Sequence, residues 1–209
     1  MTGESTIRIL SVDDHPLFRE GIALVIKHHP DLLLVAEAAS GKEALARFRE
    51  HRPDVTLMDL RLPDSSGVEA MISIRSEFPE ARIVMLTTFE GDVDIRRSLE
   101  GGARGYILKN MPPKALVEVI RQVHKGRKVI PTEVAAHLVE HFGDDGLTER
   151  EIEVLRHVAA GRRNREIGKR LFISEDTVKV HLKHVMEKLG ASDRTQAVAI
   201  AARRGAIQL

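Results

Sequence analysis

The stretch Ile7-Arg8-Ile9-Leu10-Ser11-Val12-Asp13-Asp14 is an apolar, β-branched run that ends in two carboxylates. A second run, Asp54-Val55-Thr56-Leu57-Met58, ends in the same way at Asp59. Runs of this length and composition predict buried strands. If these strands are parallel neighbours, three carboxylates meet at one edge of the sheet, where they repel one another unless a cation binds. Carboxylate oxygens favour a hard divalent ion, so we expect Mg²⁺, or Mn²⁺ in its place.

Three further apolar runs in the first half of the chain, 32–37, 82–87 and 105–108, predict three more strands. Amphipathic helical patterns separate the five runs, and β–α units at this spacing predict a parallel sheet with helices on both faces. Ligands bind such sheets at the carboxyl ends of the strands, where Thr87 and Lys109 also stand. The helices are expected at 15–28, 41–51, 67–77, 92–101 and 113–126.

The composition is that of an ordinary globular protein: 209 residues, 43% apolar and 30% charged, enough for two domains. The absence of cysteine excludes disulfides, thiolate metal sites and cysteine nucleophiles. No signal peptide and no apolar stretch of about 20 residues is visible, so we expect a cytoplasmic protein that does not contact the membrane. None of the ten histidines is interpreted as part of a metal site.

Charge divides the chain into two parts. Residues 1–126 carry 17 Lys and Arg against 19 Asp and Glu, whereas residues 147–209 carry 13 against 8, giving formal charges of −2 and +5. The basic part is expected to meet a polyanion. Turn-forming residues at 143–146 predict a domain boundary. We therefore expect one domain at 7–126, a linker at 127–146 with a short helix at 133–142, and a second domain at 147–209.

The residues from 147 onward have a helical pattern throughout. A short helix, a tight turn and a longer helix at 175–189 with a basic face are the components of a helix-turn-helix. The second helix enters the major groove of double-stranded DNA, where Lys179 and Lys183 can reach guanine acceptors and Val180 can touch a thymine methyl group. Gly168 in the short helix is expected to loosen it by up to ~1 kcal/mol. Expected helix caps are Thr148 with Glu151, Asn164, Ser174 and Ser192.

The acidic residues suit phosphoryl transfer. The carboxylate of Asp59 can attack phosphorus and form an acyl phosphate. Asp13 and Asp14 would hold the metal ion, with the backbone carbonyl of Arg61 as a further ligand. Thr87 can offer a hydroxyl group, and Lys109 a positive charge, to the phosphoryl oxygens.

These residues, together with the turn Pro63…Gly67 and the strand Gly105-Tyr106-Ile107-Leu108, resemble the receiver domain of bacterial two-component response regulators over residues 7–126. The resemblance implies a flavodoxin-like α/β fold with a five-stranded parallel sheet. It also implies Asp59 as the phosphoacceptor, loaded by a sensor histidine kinase. Asp14 would then bind the metal directly and Asp13 through water, and Tyr106 would respond to the state of Thr87.

The segments Leu147–Glu151, Asn164–Ile167 and Ile173–Lys179, with Lys188-Leu189, resemble the LuxR-type DNA-binding domain, so that the whole chain is similar to a NarL/FixJ-type response regulator. This implies an all-α, four-helix helix-turn-helix domain whose last helix, 193–204, supplies a dimer contact. It also implies a homodimer promoted by phosphorylation, with RNA polymerase as a further candidate partner. The implied base contacts are Lys179, Val180 and Lys183, and the implied DNA-backbone contacts are Arg165, Thr177, His181, Lys188 and Arg194.

Two alternatives to a phosphorylation-controlled transcription factor stay open. A Mg²⁺-dependent phosphatase of the haloacid dehalogenase type would carry a second aspartate two residues after the nucleophile, where this chain has Arg61. A constitutive DNA-binding protein with a vestigial receiver would not need the complete acidic site. We expect no turnover of a separate substrate, although the phosphorylated form would slowly lose its phosphoryl group.

Overall fold

The structure is a computed structural model that describes residues 6–88, 92–140 and 147–207. The chain forms two compact units, an N-terminal α/β unit and a C-terminal helical unit, and each is described by itself. Within the described ranges, no helix combines the length and the apolar character that crossing a membrane requires.

The N-terminal unit contains a five-stranded parallel sheet with the strand order β2-β1-β3-β4-β5. This confirms the predicted fold class, and each predicted strand lies within one residue of the observed one. The central strand β3 and its neighbour β4 are buried along their whole length, as a sheet covered on both faces requires. The strands are β1 (Ile7–Val12), β2 (Leu32–Ala38), β3 (Val55–Asp59), β4 (Ile83–Thr87) and β5 (Gly105–Leu108).

Helices follow the strands in alternation. Apolar side chains from α1 and α5 pack against one face of the sheet in a continuous core that includes Ile22, Ile120, Ile9 and Leu57. α2 and α3 pack against each other and contact β1 and β3. The helices are α1 (Pro16–Lys27), α2 (Gly41–His51), α3 (Gly67–Glu77), α4 (Asp92–Glu100), α5 (Pro113–His124) and α6 (Thr132–Glu140).

The segment after α5 stays attached to the sheet. The N–H of Val129 donates to the carbonyl of Arg104 at 3.0 Å, and its own carbonyl accepts from the N–H of Tyr106 at 2.9 Å. Backbone pairing with β5 therefore continues three residues beyond the predicted domain end at 126. The turn predicted at 143–146, and the last two residues of the predicted linker helix, lie outside the described residues.

From residue 147 to residue 207 the C-terminal unit has four helices, as predicted for a helix-turn-helix domain. Side chains from all four form one apolar core that includes Val154, Ile167, Val178 and Ala197. The helices are α7 (Glu149–Ala159), α8 (Asn164–Leu171), α9 (Glu175–Leu189) and α10 (Arg194–Arg203).

Two of the four predicted caps in this unit are confirmed. Thr148 and Glu151 form a capping box, and the hydroxyl of Ser174 accepts the N–H of Thr177 at 3.0 Å. The two other predictions are wrong by one residue. Asn164 is the first residue of α8 and follows the cap position, which Arg163 occupies. Asp193, not Ser192, caps α10, because one of its carboxylate oxygens accepts two backbone N–H groups, each at 2.8 Å.

Gly168 has a packing role that the sequence did not indicate. A Cβ atom at this position would lie 2.7 Å from the carbonyl oxygen of Ile173. The carbonyl of Gly168 in turn accepts the N–H of Ile173 at 2.9 Å. Phe172 turns the chain here with a left-handed φ of 55°. The missing side chain therefore lets the turn fold back onto α8, so the expectation that Gly168 merely loosens the helix is incomplete.

Gly168→Ala should destabilise the C-terminal unit by about 1–3 kcal/mol, because the added methyl group must displace backbone in a packed turn. Chemical unfolding followed by circular dichroism measures the change. Gly21→Ala is the matched control: a Cβ atom there would have open space around it. That control should stabilise the chain by up to ~1 kcal/mol. A Gly168→Ala variant as stable as the wild type would contradict the packing argument.

Candidate acidic site and candidate nucleic-acid interface

The ends of β1 and β3 bring two buried carboxylates together. Val12 pairs with Met58, so that Asp13 and Asp59 come next to each other at the carboxyl edge of the sheet. Asp13 is 0% exposed and Asp59 is 4% exposed. The predicted meeting of strand-end aspartates is therefore present in the structure.

Lys109 lies between these two carboxylates. It follows β5, and its side chain reaches past the end of β4 to the aspartates. Its Nζ atom is 2.7 Å from Oδ2 of Asp13 and 2.8 Å from Oδ2 of Asp59, and its side chain is 13% exposed. The ammonium group of one mostly buried lysine thus bridges two buried carboxylates.

Two carboxylates, Asp13 and Asp59, share the single positive charge of Lys109. Burial raises the pKa of Asp59 above its usual range, and the negative charge of Asp13 adds to this, although Lys109 opposes it. Burial also disfavours the charged form of Lys109, but the two carboxylates outweigh that and raise its pKa. The pKa of Asp59 is thus raised mainly by burial, whereas the pKa of Lys109 is raised by its two carboxylate partners.

Asp14 and His15 complete the cluster on its exposed side. Nδ1 of His15 is 2.7 Å from Oδ1 of Asp14 and 3.2 Å from Oδ1 of Asp13. The backbone N–H of His15 donates to Oδ1 of Asp13 at 2.9 Å. Potential ligand atoms from Asp13, Asp14, His15 and Asp59 all lie within 4.8 Å of one another. The sequence interpretation left His15 out of the site, and its position directly after Asp14 was the signal that could have included it.

The loop after Asp59 is held at several points. Arg61 and Ser66 form an antiparallel bridge, and the N–H of Gly67 donates to the carbonyl of Leu60 at 2.8 Å. The carboxylate of Asp64 accepts the first two backbone N–H groups of α2, at 2.8 and 3.0 Å. These contacts fix the course of the loop that follows Asp59 and contains Arg61.

Thr87 lies in β4, the strand next to Asp59, and Tyr106 lies in β5, one strand further along the sheet. Thr87 ends β4 and is buried, and its carbonyl accepts the backbone N–H of Lys109 at 2.7 Å. Tyr106 is fully buried in β5, opposite Met85. Of the three residues predicted to form the switch, Lys109 contacts the acidic cluster, Thr87 ends the strand next to Asp59, and Tyr106 is buried one strand further away.

The exposed face of α9 carries the three predicted base contacts. Val178, Leu182 and Val185 are buried, whereas Lys179 and Lys183 are exposed and Val180 is 51% exposed. Nζ of Lys179 lies 2.9 Å from a carboxylate oxygen of Asp176. Exposed pairs of this kind are weak and screened by salt, so they leave the lysine available to DNA.

The five residues predicted to contact the DNA backbone differ in their surroundings. Arg165 and Arg194 are exposed, and Thr177 and His181 are half-buried. Lys188 is bound within the unit: its Nζ lies 2.8 Å from Oε2 of Glu151, a buried carboxylate of the α7 capping box. The positive charge of Lys188 therefore stabilises the unit by pairing with Glu151. A contact with a DNA phosphate would compete with this ion pair.

The ion pair between Glu151 and Lys188 predicts a dependence of stability on pH. Burial disfavours the charged carboxylate, but Lys188 and Thr148 outweigh this, and the pKa of Glu151 is lowered. A lowered folded-state pKa stabilises the protein above the unfolded-state pKa of about 4.3. That stabilisation is lost as the pH falls through the folded-state pKa.

We expect Glu151→Gln to be less stable than the wild type at pH 7, because it leaves the Lys188 charge uncompensated. We also expect it to lose less stability between pH 7 and pH 3. Urea unfolding at a series of pH values measures both effects. Glu153→Gln, an exposed change on the same helix, is the matched control and should follow the wild type. Equal acid sensitivity of Glu151→Gln and the wild type would contradict the role of this pair.

A doubly wound sheet with carboxylates at its strand ends, in one chain with a helix-turn-helix unit, defines the class of DNA-binding response regulators. The family model described as "Response regulator receiver domain" matches residues 9–121, and that of "Bacterial regulatory proteins, luxR family" matches residues 145–201. Both matches agree with the resemblances found in the sequence.

Whole-chain relatives give the same result. Response regulator protein VraR of Staphylococcus aureus is 38% identical over 208 residues, covering 97% of this chain and 100% of that protein. RcsB of Salmonella enterica serovar Typhimurium, solved bound to promoter P1flhDC with the phosphomimetic BeF3-, has a TM-score of 0.71 and 26% identity, covering 95% of this chain and 99% of RcsB. A structure of two RcsB dimers on two parallel DNAs has a TM-score of 0.68 and 25% identity, covering 95% and 99%. This chain belongs to the transcriptional response regulators that join a receiver to a LuxR-type DNA-binding domain.

Proposed function

We propose that a sensor histidine kinase phosphorylates Asp59 and that this modification switches DNA binding by the C-terminal unit. The observation that carries the proposal is the place of Asp59. It is a nearly buried carboxylate at the end of a central strand, in contact with Lys109 and next to two further aspartates. A carboxylate of this kind can act as a nucleophile toward phosphorus once its negative charge is balanced.

The donor set supports Mg²⁺, or Mn²⁺, as the balancing ion. Three carboxylates offer hard oxygen atoms within 4.8 Å of one another, and oxygen is the ligand that these ions prefer. Asp14 and Asp59 would bind the ion directly, Asp13 through water, and Arg61 through its backbone carbonyl. When bound, the ion neutralises negative charge on the incoming phosphoryl group.

In the transfer step, a carboxylate oxygen of Asp59 attacks phosphorus. The bond between phosphorus and the imidazole nitrogen of the kinase breaks, and its electron pair stays on that nitrogen. The product is an acyl phosphate that carries about 1.5 to 2 negative charges where the carboxylate carried one, a net gain of about one. Lys109 then pairs with a phosphoryl oxygen, and the hydroxyl of Thr87 donates to another. Tyr106 follows the movement of Thr87, which changes the surface of the receiver.

The chain acts as a regulator and turns over no separate substrate. Water attack on the acyl phosphate restores Asp59, so that the modification limits its own lifetime. A phosphatase of the haloacid dehalogenase type needs a second acid two residues after the nucleophile, and Arg61 cannot donate a proton in that way. The family of transcriptional regulators to which the chain belongs also favours the regulatory role over the enzymatic alternative.

In the proposed complex with DNA, Lys179, Val180 and Lys183 of α9 read base edges in the major groove. Arg165, Thr177, His181, Lys188 and Arg194 contact the DNA backbone. The RcsB structures, which contain DNA and in one case paired dimers, support double-stranded DNA and a second copy of the chain as partners. Phosphorylation promotes the homodimer, and RNA polymerase is the further partner through which the bound dimer would change transcription.

The switch is tested with Asp59→Asn. In the presence of Mg²⁺ and beryllofluoride, the wild type should bind operator DNA about 5- to 150-fold more tightly than without beryllofluoride. Asp59→Asn should show no gain, because beryllofluoride binds the carboxylate oxygen that the amide replaces. Fluorescence anisotropy with labelled DNA measures affinity. Glu80→Gln, at an exposed position of the same unit, should respond as the wild type does. An equal response of Asp59→Asn would contradict the proposal.

The assignment of DNA contacts makes a second prediction. Lys179→Ala should cost about 1–3 kcal/mol on the best operator and relax specificity at one base pair, because the lysine reads a base edge. Arg165→Ala should weaken binding to all sequences and reduce the slope of log K against log salt by about 1. Competition titrations at several salt concentrations separate the two behaviours. The assignment fails if both variants lose affinity to the same extent on specific and random DNA.

A further inference from the structure

Lys109 has an aromatic neighbour as well as its two carboxylates. Its Nζ atom lies 4.8 Å from the centroid of the Phe18 ring, with the ring face toward the ammonium group. The same atom is 2.7 Å from Asp13 and 2.8 Å from Asp59. The ammonium group of a mostly buried lysine is therefore held between two carboxylates and a π face.

The position of Phe18 is set by the core of the N-terminal unit. Phe18 is half-buried in the first turn of α1 and packs against the apolar cluster that α1 and α5 form on the sheet. Its sequence neighbour Leu17 points the other way and is 83% exposed. The ring is thus fixed by packing, whereas Lys109 has a flexible four-carbon stem that could adopt other rotamers.

We propose that Phe18 is a positioning residue for Lys109. The negative face of an aromatic ring attracts an ammonium group within about 6 Å of its centroid, and the attraction grows as water is excluded. An aliphatic side chain of similar size would fill the same space without that attraction. Phe18 thus keeps the ammonium group directed into the acidic site, both when it pairs with the aspartates and when it pairs with a phosphoryl oxygen. This inference rests on the proposed function of Asp59 and Lys109.

The role of Phe18 can be separated from general damage to the site. Lys109 acts on the phosphoryl group, whereas the metal ion is held by the carboxylates and a backbone carbonyl. Loss of the ring should therefore weaken retention of a phosphoryl analogue without weakening Mg²⁺ binding. In the metal-free site Lys109 competes with the cation for Asp13 and Asp59, so loosening it cannot lower the affinity for Mg²⁺ by this route.

The test compares Phe18→Leu and Phe18→Met, which keep an apolar side chain, with Phe18→Tyr, which keeps the ring face. All are made in the full chain, and thermal unfolding confirms that they fold. Titration with Mg²⁺ by calorimetry measures metal affinity, and ¹⁹F NMR measures bound beryllofluoride at saturating Mg²⁺. We expect beryllofluoride affinity to fall about 3- to 10-fold in the leucine and methionine variants. We expect it to stay within about twofold of the wild type in Phe18→Tyr, with Mg²⁺ affinity not reduced in any variant.

Three results would overturn the inference. The first is unchanged beryllofluoride affinity in both the leucine and methionine variants. The second is an equal loss in Phe18→Tyr, which would show that the ring face is not what matters. The third is a parallel loss of Mg²⁺ affinity, which would indicate damage to the whole site. Failure of the proposed function itself looks different, because the wild type would then not bind beryllofluoride or would bind it equally well as Asp59→Asn.

Discussion

The candidate site depends on the excess of negative over positive charge at the carboxyl edge of the sheet. Asp13 and Asp59 are buried side by side, and Lys109 is the ammonium group that bridges them. Burial, with the negative charge of Asp13 beside it, raises the pKa of Asp59, so the site favours uptake of further positive charge. The proposed phosphorylation of Asp59 would change the negative charge that Lys109 balances.

The parallel sheet is what creates this site. Strands that run in the same direction end at the same edge, so residues far apart in sequence meet there without any local contact between them. The C-terminal unit relies on a buried ion pair in a similar way, since Lys188 at the end of α9 binds Glu151 at the start of α7. That pair holds the long helix against the rest of the unit, while Lys179, Val180 and Lys183 of α9 stay exposed.

The sequence predicted the features that depend on residues close together in the chain, such as the positions of strands. Strand positions followed from apolar runs, and the meeting of Asp13 with Asp59 followed from their places at strand ends. What the sequence missed arises from tertiary contacts or from fine local geometry. The ring of Phe18 meets Lys109, Asp64 caps a helix from 23 residues away, and a turn closes onto Gly168. The cap at Asp193 was missed because neighbouring serine and aspartate are both good caps.

The chemistry assigned to Asp59 can be located directly by chemical trapping. The folded chain is incubated with Mg²⁺ and acetyl phosphate and then reduced with borohydride, which converts an acyl phosphate to the alcohol of the modified residue. Peptide mass spectrometry then identifies the position. We predict homoserine at residue 59 and at no other aspartate, with none formed when acetyl phosphate is left out. Trapping at a different carboxylate, or none at all on folded protein loaded with Mg²⁺, would contradict the central role of Asp59.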